Sequence, residues 1–255
     1  MLMISDSVWN EISKLMPEKK TKVGRPPQEA RVVLSGVFYV IITGAQWHQL
    51  PDYYGRPTTV HGRFRIWVKS GVFEKILHTS IDKAVQLLGC PESFLNDTSS
   101  VKAPLATFGG KNPTDRRKRG IKKGIVIDWN QIVLSVLIDA ANKHDSKLLI
   151  PHIQKIKRFL NKPKVMTTDS AWDVAQLRKD LAKENLVLHA STNVRRNKKR
   201  RKIKSGGRWK IEQVFGMQQW NRGIKFCWTK TKESFLALCQ FSCSMHNFKL
   251  AGIFG

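Results

Sequence analysis

A chain of 255 residues with 41% apolar content, eight Trp and twelve Phe carries enough apolar surface to offset the entropy of ordering, which excludes a disordered basic tail. Its 45 Lys and Arg against 19 Asp and Glu leave a formal charge of +26, an excess that a folded protein tolerates best opposite a polyanion: nucleic acid first, an anionic membrane second. No apolar run nears the roughly 20 residues of a membrane-spanning helix, and the start MLMISDSVWNEISK lacks a signal peptide's basic flank, so a soluble cytoplasmic protein is expected.

Residues 1–88 read as an all-helical module. Ser5 to Ser7 offer N-cap side chains, Val8, Trp9, Ile12, Leu15 and Met16 share one face, and Pro17 ends the turn. After a basic linker, Pro27 suits a first helical position, and the apolar run RVVLSGVFYVIIT needs nearly all-round burial. In PTTVHGRFRIWVK the spacing puts Val60, Phe64, Trp67 and Val68 on one face, while Arg63, Arg65 and Lys69 project elsewhere. Such a helix fits a DNA groove in the manner of a helix-turn-helix, or is an ordinary bundle helix with a solvated basic face. Arg25, in VGRPP, fits a narrow minor groove, although Pro-Pro also simply starts helices.

From residue 89 to 255 the periodicity changes. SFLNDTSSV reads as a strand, IKKGIVIDWNQIVLSVLIDA as two strands joined near Trp129 to Gln131, and SKLLIPHIQKIKRFL as a helix despite Pro151. A buried strand KPKVMTT, a helix in DVAQLRKDLAKEN and a strand LVLHA follow, then a helix RWKIEQVFGMQQW and an apolar helical tail from about Ser234. The order βββαβαβ then helix is a ribonuclease-H-like mixed-sheet pattern, giving an α/β fold overall. The four cysteines form no C-x-x-C pair, and Cys239, Cys243 and His246 lie in an apolar stretch that favours core packing over metal binding.

Three acids stand isolated in this basic chain. Asp97 is the only carboxylate between Glu92 and Asp115, in mid-strand where Asp is disfavoured; Asp169 follows the strand KVMTT at its carboxyl end; Glu212 is the only acid between Glu184 and Glu233, among fourteen Lys and Arg. Distant carboxylates that converge repel one another unless a cation lies between them, so such a cluster points to divalent metal, Mg²⁺ or Mn²⁺ in a two-ion form, acting on a phosphodiester. Each acid has a plainer use: Asp97 in a turn, Asp169 as a helix N-cap, Glu212 paired with Arg208 at i, i+4. Asp128, Asp139, Asp145 and Asp173 compete for the role, and Asp145 suits a helix cap.

Together these segments resemble the insertion-sequence-five family of DDE transposases over almost the whole chain. The motifs are GRPPQEARVVLSGVFYVIITGAQWHQLP, YGRPTTVHGRFRIWVKSGVFEKIL, DTSSVKAPL, NPTDRRKRGIKKG, DAANKHDSKLL, TTDSAWD and GRWKIEQVFG. The resemblance implies Asp97, Asp169 and Glu212 as catalytic metal ligands, Mg²⁺ dependence, binding to double-stranded DNA at terminal inverted repeats, and strand transfer to a target. Holding two ends for joining implies a homodimer or higher assembly. Ala171 and Trp172 stand where the family usually has Gly-Tyr, and Gln219 and Trp220 where a basic residue is usual, with Arg222 a substitute phosphate contact. Rival readings are a catalytically inactive DNA-binding protein, a nuclease of the same fold without strand transfer, and an RNA binder.

For DNA contact, Arg195, Arg196, Lys198, Lys199, Arg200 and Arg201 belong to a run with eight basic residues in the ten positions 195–204, enough to make binding steeply salt-dependent. Arg116, Arg117 and Arg119 form a second patch, Arg208 sits four residues before Glu212, and Trp172 is close enough to Asp169 to stack on an unpaired base or to pack in the core.

Overall fold

The computed structural model describes residues 2–17, 28–190 and 207–254. Four helices come first: α1 (Asp6–Ile12), α2 (Ala30–Thr43), α3 (Pro57–Lys69) and α4 (Val72–Leu88). Ser5 caps α1 by accepting the Val8 N–H, as its residue type favours. Helix α2 begins at Ala30, later than a start at Pro27 would give; Pro27 itself lies outside the described residues. The all-round apolar run is buried as expected, from Val33 to Ile41, and Gly44 closes the helix in the left-handed conformation that glycine adopts without penalty. Val60, Phe64 and Trp67 of α3 are buried together.

The sheet comprises β1 (Ser93–Lys102), β2 (Gly110–Lys111), β3 (Arg119–Asp128), β4 (Val133–Ala140), β5 (Lys164–Thr168) and β6 (Leu186–Ala190). Its path is β2-β3-β1-β5-β6 with β4 also on β3; β3 is antiparallel to β1 and β4, while β1, β5 and β6 run parallel. A three-stranded meander joined to parallel strands by helical crossovers is the ribonuclease-H-like arrangement. Only the two-residue β2 is new, being too short to leave a periodic signal.

Helices α5 (Ser146–Ile156), α6 (Ala175–Lys183), α7 (Arg208–Trp220), the short α8 (Arg222–Lys225) and α9 (Lys232–Leu250) complete the chain. Successive β-residues point to opposite faces, and β3 shows which helix covers which. Gly124 faces α5, where any Cβ would meet His152 Nε2 at 2.7 Å, whereas the Lys123 ammonium lies 5.8 Å from the Phe215 ring of α7. Helix α9 lies against α4 and also contacts α3, α2 and β4, so the C-terminal helix joins the helical module to the sheet through one continuous apolar core. Cys239 and Cys243 are fully buried in α9, and burial pushes both thiols up to about 12. No helix among the described residues is long and apolar enough to cross a membrane.

Candidate active site

Strand register brings the first two isolated acids together. β1 and β5 pair in parallel as far as Leu95 and Thr167; Asp97 lies two residues further along β1, and Asp169 follows directly after the end of β5. The two acids are close enough for the charge of Asp169 to act on the Asp97 carboxyl. Burial pushes the Asp97 carboxyl above its ordinary range; the Thr98 N–H and Arg208 oppose this, and the negative charge of Asp169 adds to it. Thr98 N–H donates to Asp97 Oδ1 at 2.7 Å, and Arg208 Nη2 donates to Asp97 Oδ2 at 3.5 Å.

Arg208 opens α7, which packs against β1, and Glu212 stands one helical turn further on with its side chain exposed. The simple pairing of Arg208 with Glu212 along the helix is therefore not where the guanidinium goes: it crosses to Asp97. Among the described residues no three His, Cys, Asp or Glu side chains are gathered closely enough to hold a metal ion. The fold assembles a carboxylate pair, with the third acid a turn beyond the arginine that reaches it.

The competing acids have structural partners. Asp139 pairs with Lys143 at 3.2 Å, and Asp173 accepts from Arg178 Nε and Nη2 at 3.1 and 2.8 Å. Asp128 accepts the Ile132 N–H inside the β3–β4 hairpin. Asp145 occupies the N-cap position of α5 but makes no capping bond; its Oδ1 accepts from Thr98 Oγ1 and Lys122 Nζ, both at 2.8 Å. That network braces the residue after Asp97 from the opposite face of β1, and only the register reveals it.

The residues expected to touch nucleic acid divide. Arg65, Arg116, Arg117, Arg119 and Arg222 are exposed, Arg119 also donating to Ala106 O at 2.8 Å. Arg63 does not project freely: its guanidinium lies 4.9 Å from the Trp67 ring and donates to Gln28 O. Trp172 is 1% exposed, which corrects the stacking role considered for it, because an indole enclosed by the core offers no face to a base. Arg25, Arg195, Arg196, Lys198, Lys199, Arg200 and Arg201 lie outside the described residues. Missed altogether were the exposed indoles of Trp129 and Trp209, which bracket Lys210.

A helical module leading into a ribonuclease-H-like sheet, with one acid on its central strand β1 and another just past β5, is the architecture of the DDE transposase fold. Residues 89–245 match the family model described as "Transposase DDE domain", and residues 4–77 match "Putative transposase of IS4/5 family". The chain belongs to the DDE transposase family and is related to the transposases of IS4/5-family insertion sequences. A curated relative, the "Insertion element IS402 uncharacterized 16.2 kDa protein" of Burkholderia cepacia, is 33% identical over 79 residues, 29% of this chain. The match spans 54% of that relative, about half its length. Among solved structures, a piggyBac transposase synaptic complex with hairpin DNA aligns over 98% of this chain and 75% of its own, at 11% identity and a TM-score of 0.43. A Mos1 transposase paired-end complex aligns over 93% and 83%, at 10% identity and 0.30. Both superpositions are loose.

Proposed function

We propose that the protein is a transposase that cleaves DNA at the terminal inverted repeats of its element and joins the freed ends to target DNA. The observation that carries this reading is the electrostatic interaction between Asp97 on β1 and Asp169 just past β5, in a chain of formal charge +26. Like charges held together and partly desolvated favour a divalent cation, and a set of carboxylate oxygens suits Mg²⁺ or Mn²⁺. Asp97, Asp169 and Glu212 would hold the metal. When bound, a metal pair supplies Lewis-acid stabilisation of the scissile phosphate and of the attacking and leaving oxygens.

This chain's own residues do the rest. Arg208 balances the Asp97 carboxylate, Thr98 N–H fixes one of its oxygens, and exposed Arg65, Arg116, Arg117, Arg119 and Arg222 supply phosphate contacts to double-stranded DNA. Joining two ends calls for a dimer or larger assembly on the DNA.

The test is nicking of a duplex that carries the element's own end, with Mg²⁺ or Mn²⁺, followed by an assay for new 3′-end linkage to target. Asp97→Ala is expected to keep DNA binding and lose nicking. Equal cleavage by that variant rejects the assignment of Asp97, binding without cleavage by the unaltered protein favours a DNA-binding role alone, and cleavage without joining makes it a nuclease.

A further inference from the structure

Asp145 stands at the start of α5, where an acid ordinarily caps a helix, yet it makes no capping bond. Its Oδ1 instead accepts from Thr98 Oγ1 and from Lys122 Nζ, both at 2.8 Å, and the same lysine donates to Lys143 O at 2.7 Å. An acid that forgoes its local partner for two distant ones is directed by tertiary packing, and here the packing has a visible cause. Thr98 pairs with Gly124, and a Cβ on Gly124 would lie 2.7 Å from His152 Nε2, so the missing side chain lets α5 settle onto the sheet beside Thr98.

The contact falls where β1 has least support. Phe94 and Leu95 are paired on both sides, with β3 and with β5, whereas from Asn96 to Val101 the described residues pair β1 with β3 alone. Asp97 and Thr98 lie in that one-sided stretch. Successive strand residues point to opposite faces, so the Thr98 hydroxyl turns to α5 while the Asp97 carboxylate turns to α7 and Arg208. A single peptide unit links the two, because Thr98 N–H donates to Asp97 Oδ1 at 2.7 Å. Rotation of Thr98 about the strand axis would swing that N–H and carry the carboxylate with it; the bond to Asp145 on the far side resists the rotation. Lys122 keeps Asp145 in its charged form, the stronger acceptor.

We propose that Asp145 is a positioning residue for Asp97, acting through Thr98: a clamp on one face of the sheet that sets the direction of a carboxylate on the other. The proposal rests on the DNA-processing reading above, in which Asp97 is a metal ligand. Asp145 is not a ligand itself, since β1 stands between it and the Asp97 carboxylate. Groups that only orient a ligand change metal affinity or rate on the order of 10–100-fold when removed, although they touch neither metal nor substrate.

The experiment measures single-turnover nicking, duplex affinity and, without metal or DNA, amide hydrogen exchange at Thr98. Asp145→Ala and Thr98→Val are each expected to slow nicking roughly 10–100-fold while duplex affinity stays within about two-fold. Asp145→Ala also speeds exchange of the Thr98 N–H by roughly ten-fold or more, with the amides of β4 as protected as before. The double variant is no slower than either single one, because both cut the same contact. Thr98→Ser keeps the hydroxyl and Asp145→Asn keeps an acceptor oxygen, so each retains most of the rate. Multiplied losses in the double variant, or Thr98→Ser as slow as Thr98→Val, overturn the clamp. An Asp145→Asn protein as inactive as Asp97→Ala makes Asp145 a reacting group in its own right and overturns it too. So does faster exchange throughout the sheet, which reduces the contact to one of general stability. If the unaltered protein nicks no cognate end, the catalytic reading falls; exchange at Thr98 still decides the clamp, which an unchanged rate in Asp145→Ala overturns.

Discussion

The guanidinium of Arg208 reaches the carboxylate of Asp97 at 3.5 Å across 111 residues of chain, tying the start of α7 to the middle of β1. Because both side chains are partly shielded, 30% and 19% exposed, the contact orients α7 more firmly than a surface pair would. Glu212 follows one helical turn later. Arg208→Ala is expected to lower the nicking rate on the order of 10–100-fold while changing duplex affinity only a few-fold, since displacing a reacting group costs rate more than binding. Arg208→Lys keeps the charge but not the fork, and should recover part of the loss. Unchanged turnover by Arg208→Ala would show that the contact is incidental.

Asp128 gives a pH-dependent handle on the hairpin that carries Trp129. Burial pushes its carboxyl up to about 6, against the opposing pull of the Ile132 and Asn130 N–H groups and the Lys210 charge. The folded state thus binds this proton more tightly than the unfolded chain, whose carboxyl titrates near 3.8. Its contribution to stability is fully present below about pH 4 and is lost as pH rises through about 6, by at most about 3 kcal/mol. Asp128→Asn still accepts the Ile132 N–H and removes the titration. The difference in urea-unfolding free energy between the two proteins should therefore shift in favour of Asp128→Asn from pH 4 to pH 7; a flat difference would contradict the buried acid.

Gly223 is where the C-terminal segment meets the helical module. A Cβ there would lie 2.3 Å from Val40 O and 2.9 Å from Ile41 Cα, both backbone atoms that cannot step aside. Gly223→Ala is expected to cost roughly 1–3 kcal/mol and lower Tm. Gly62 in α3 has nothing within 4 Å of its Cβ position, so Gly62→Ala should instead gain roughly 0.5–1 kcal/mol as a helix-interior glycine is removed. Equal melting temperatures for the two variants would argue against the packing of α8 on α2.

Most elements were legible because their local signals are strong: the apolar run of α2, the strand around Asp97 and the paired strands flanking Trp129 all fold as read. Asp97 and Asp169 could be singled out as acids in unlikely places, but their adjacency depends on which strand pairs with which, and in which register. The partner of Arg208 was illegible for the same reason. Local spacing offered Glu212, four residues away, whereas the chain brings Asp97 closer from 111 residues away. Trp172 and Trp209 show the limit from the other side: each is a Trp three residues from an isolated acid, and only tertiary packing decides that one is buried and the other exposed. Gly124 carries no sequence signal either, since its reason is the ring of His152 above it.

The two arginines of α3 differ in what they touch: Arg63 is held by the protein and Arg65 is exposed. Arg63 lies against Trp67 and donates to Gln28 O, so it joins α3 to the segment leading into α2. Arg65 is exposed on the same helix as Ile66 and Lys69, which are exposed too. Arg65→Ala is expected to weaken duplex binding and lower the slope of log affinity against log salt by about one, with no change in Tm, because one phosphate contact and its released counterion are lost. Arg63→Ala should do the converse: Tm falls, since the packing over Trp67 and the tie to Gln28 disappear, while the salt slope stays as it was. Paired titrations at several salt concentrations and a thermal melt separate the two, and a slope that falls only for Arg63→Ala would mean that α3 presents a different face to the DNA.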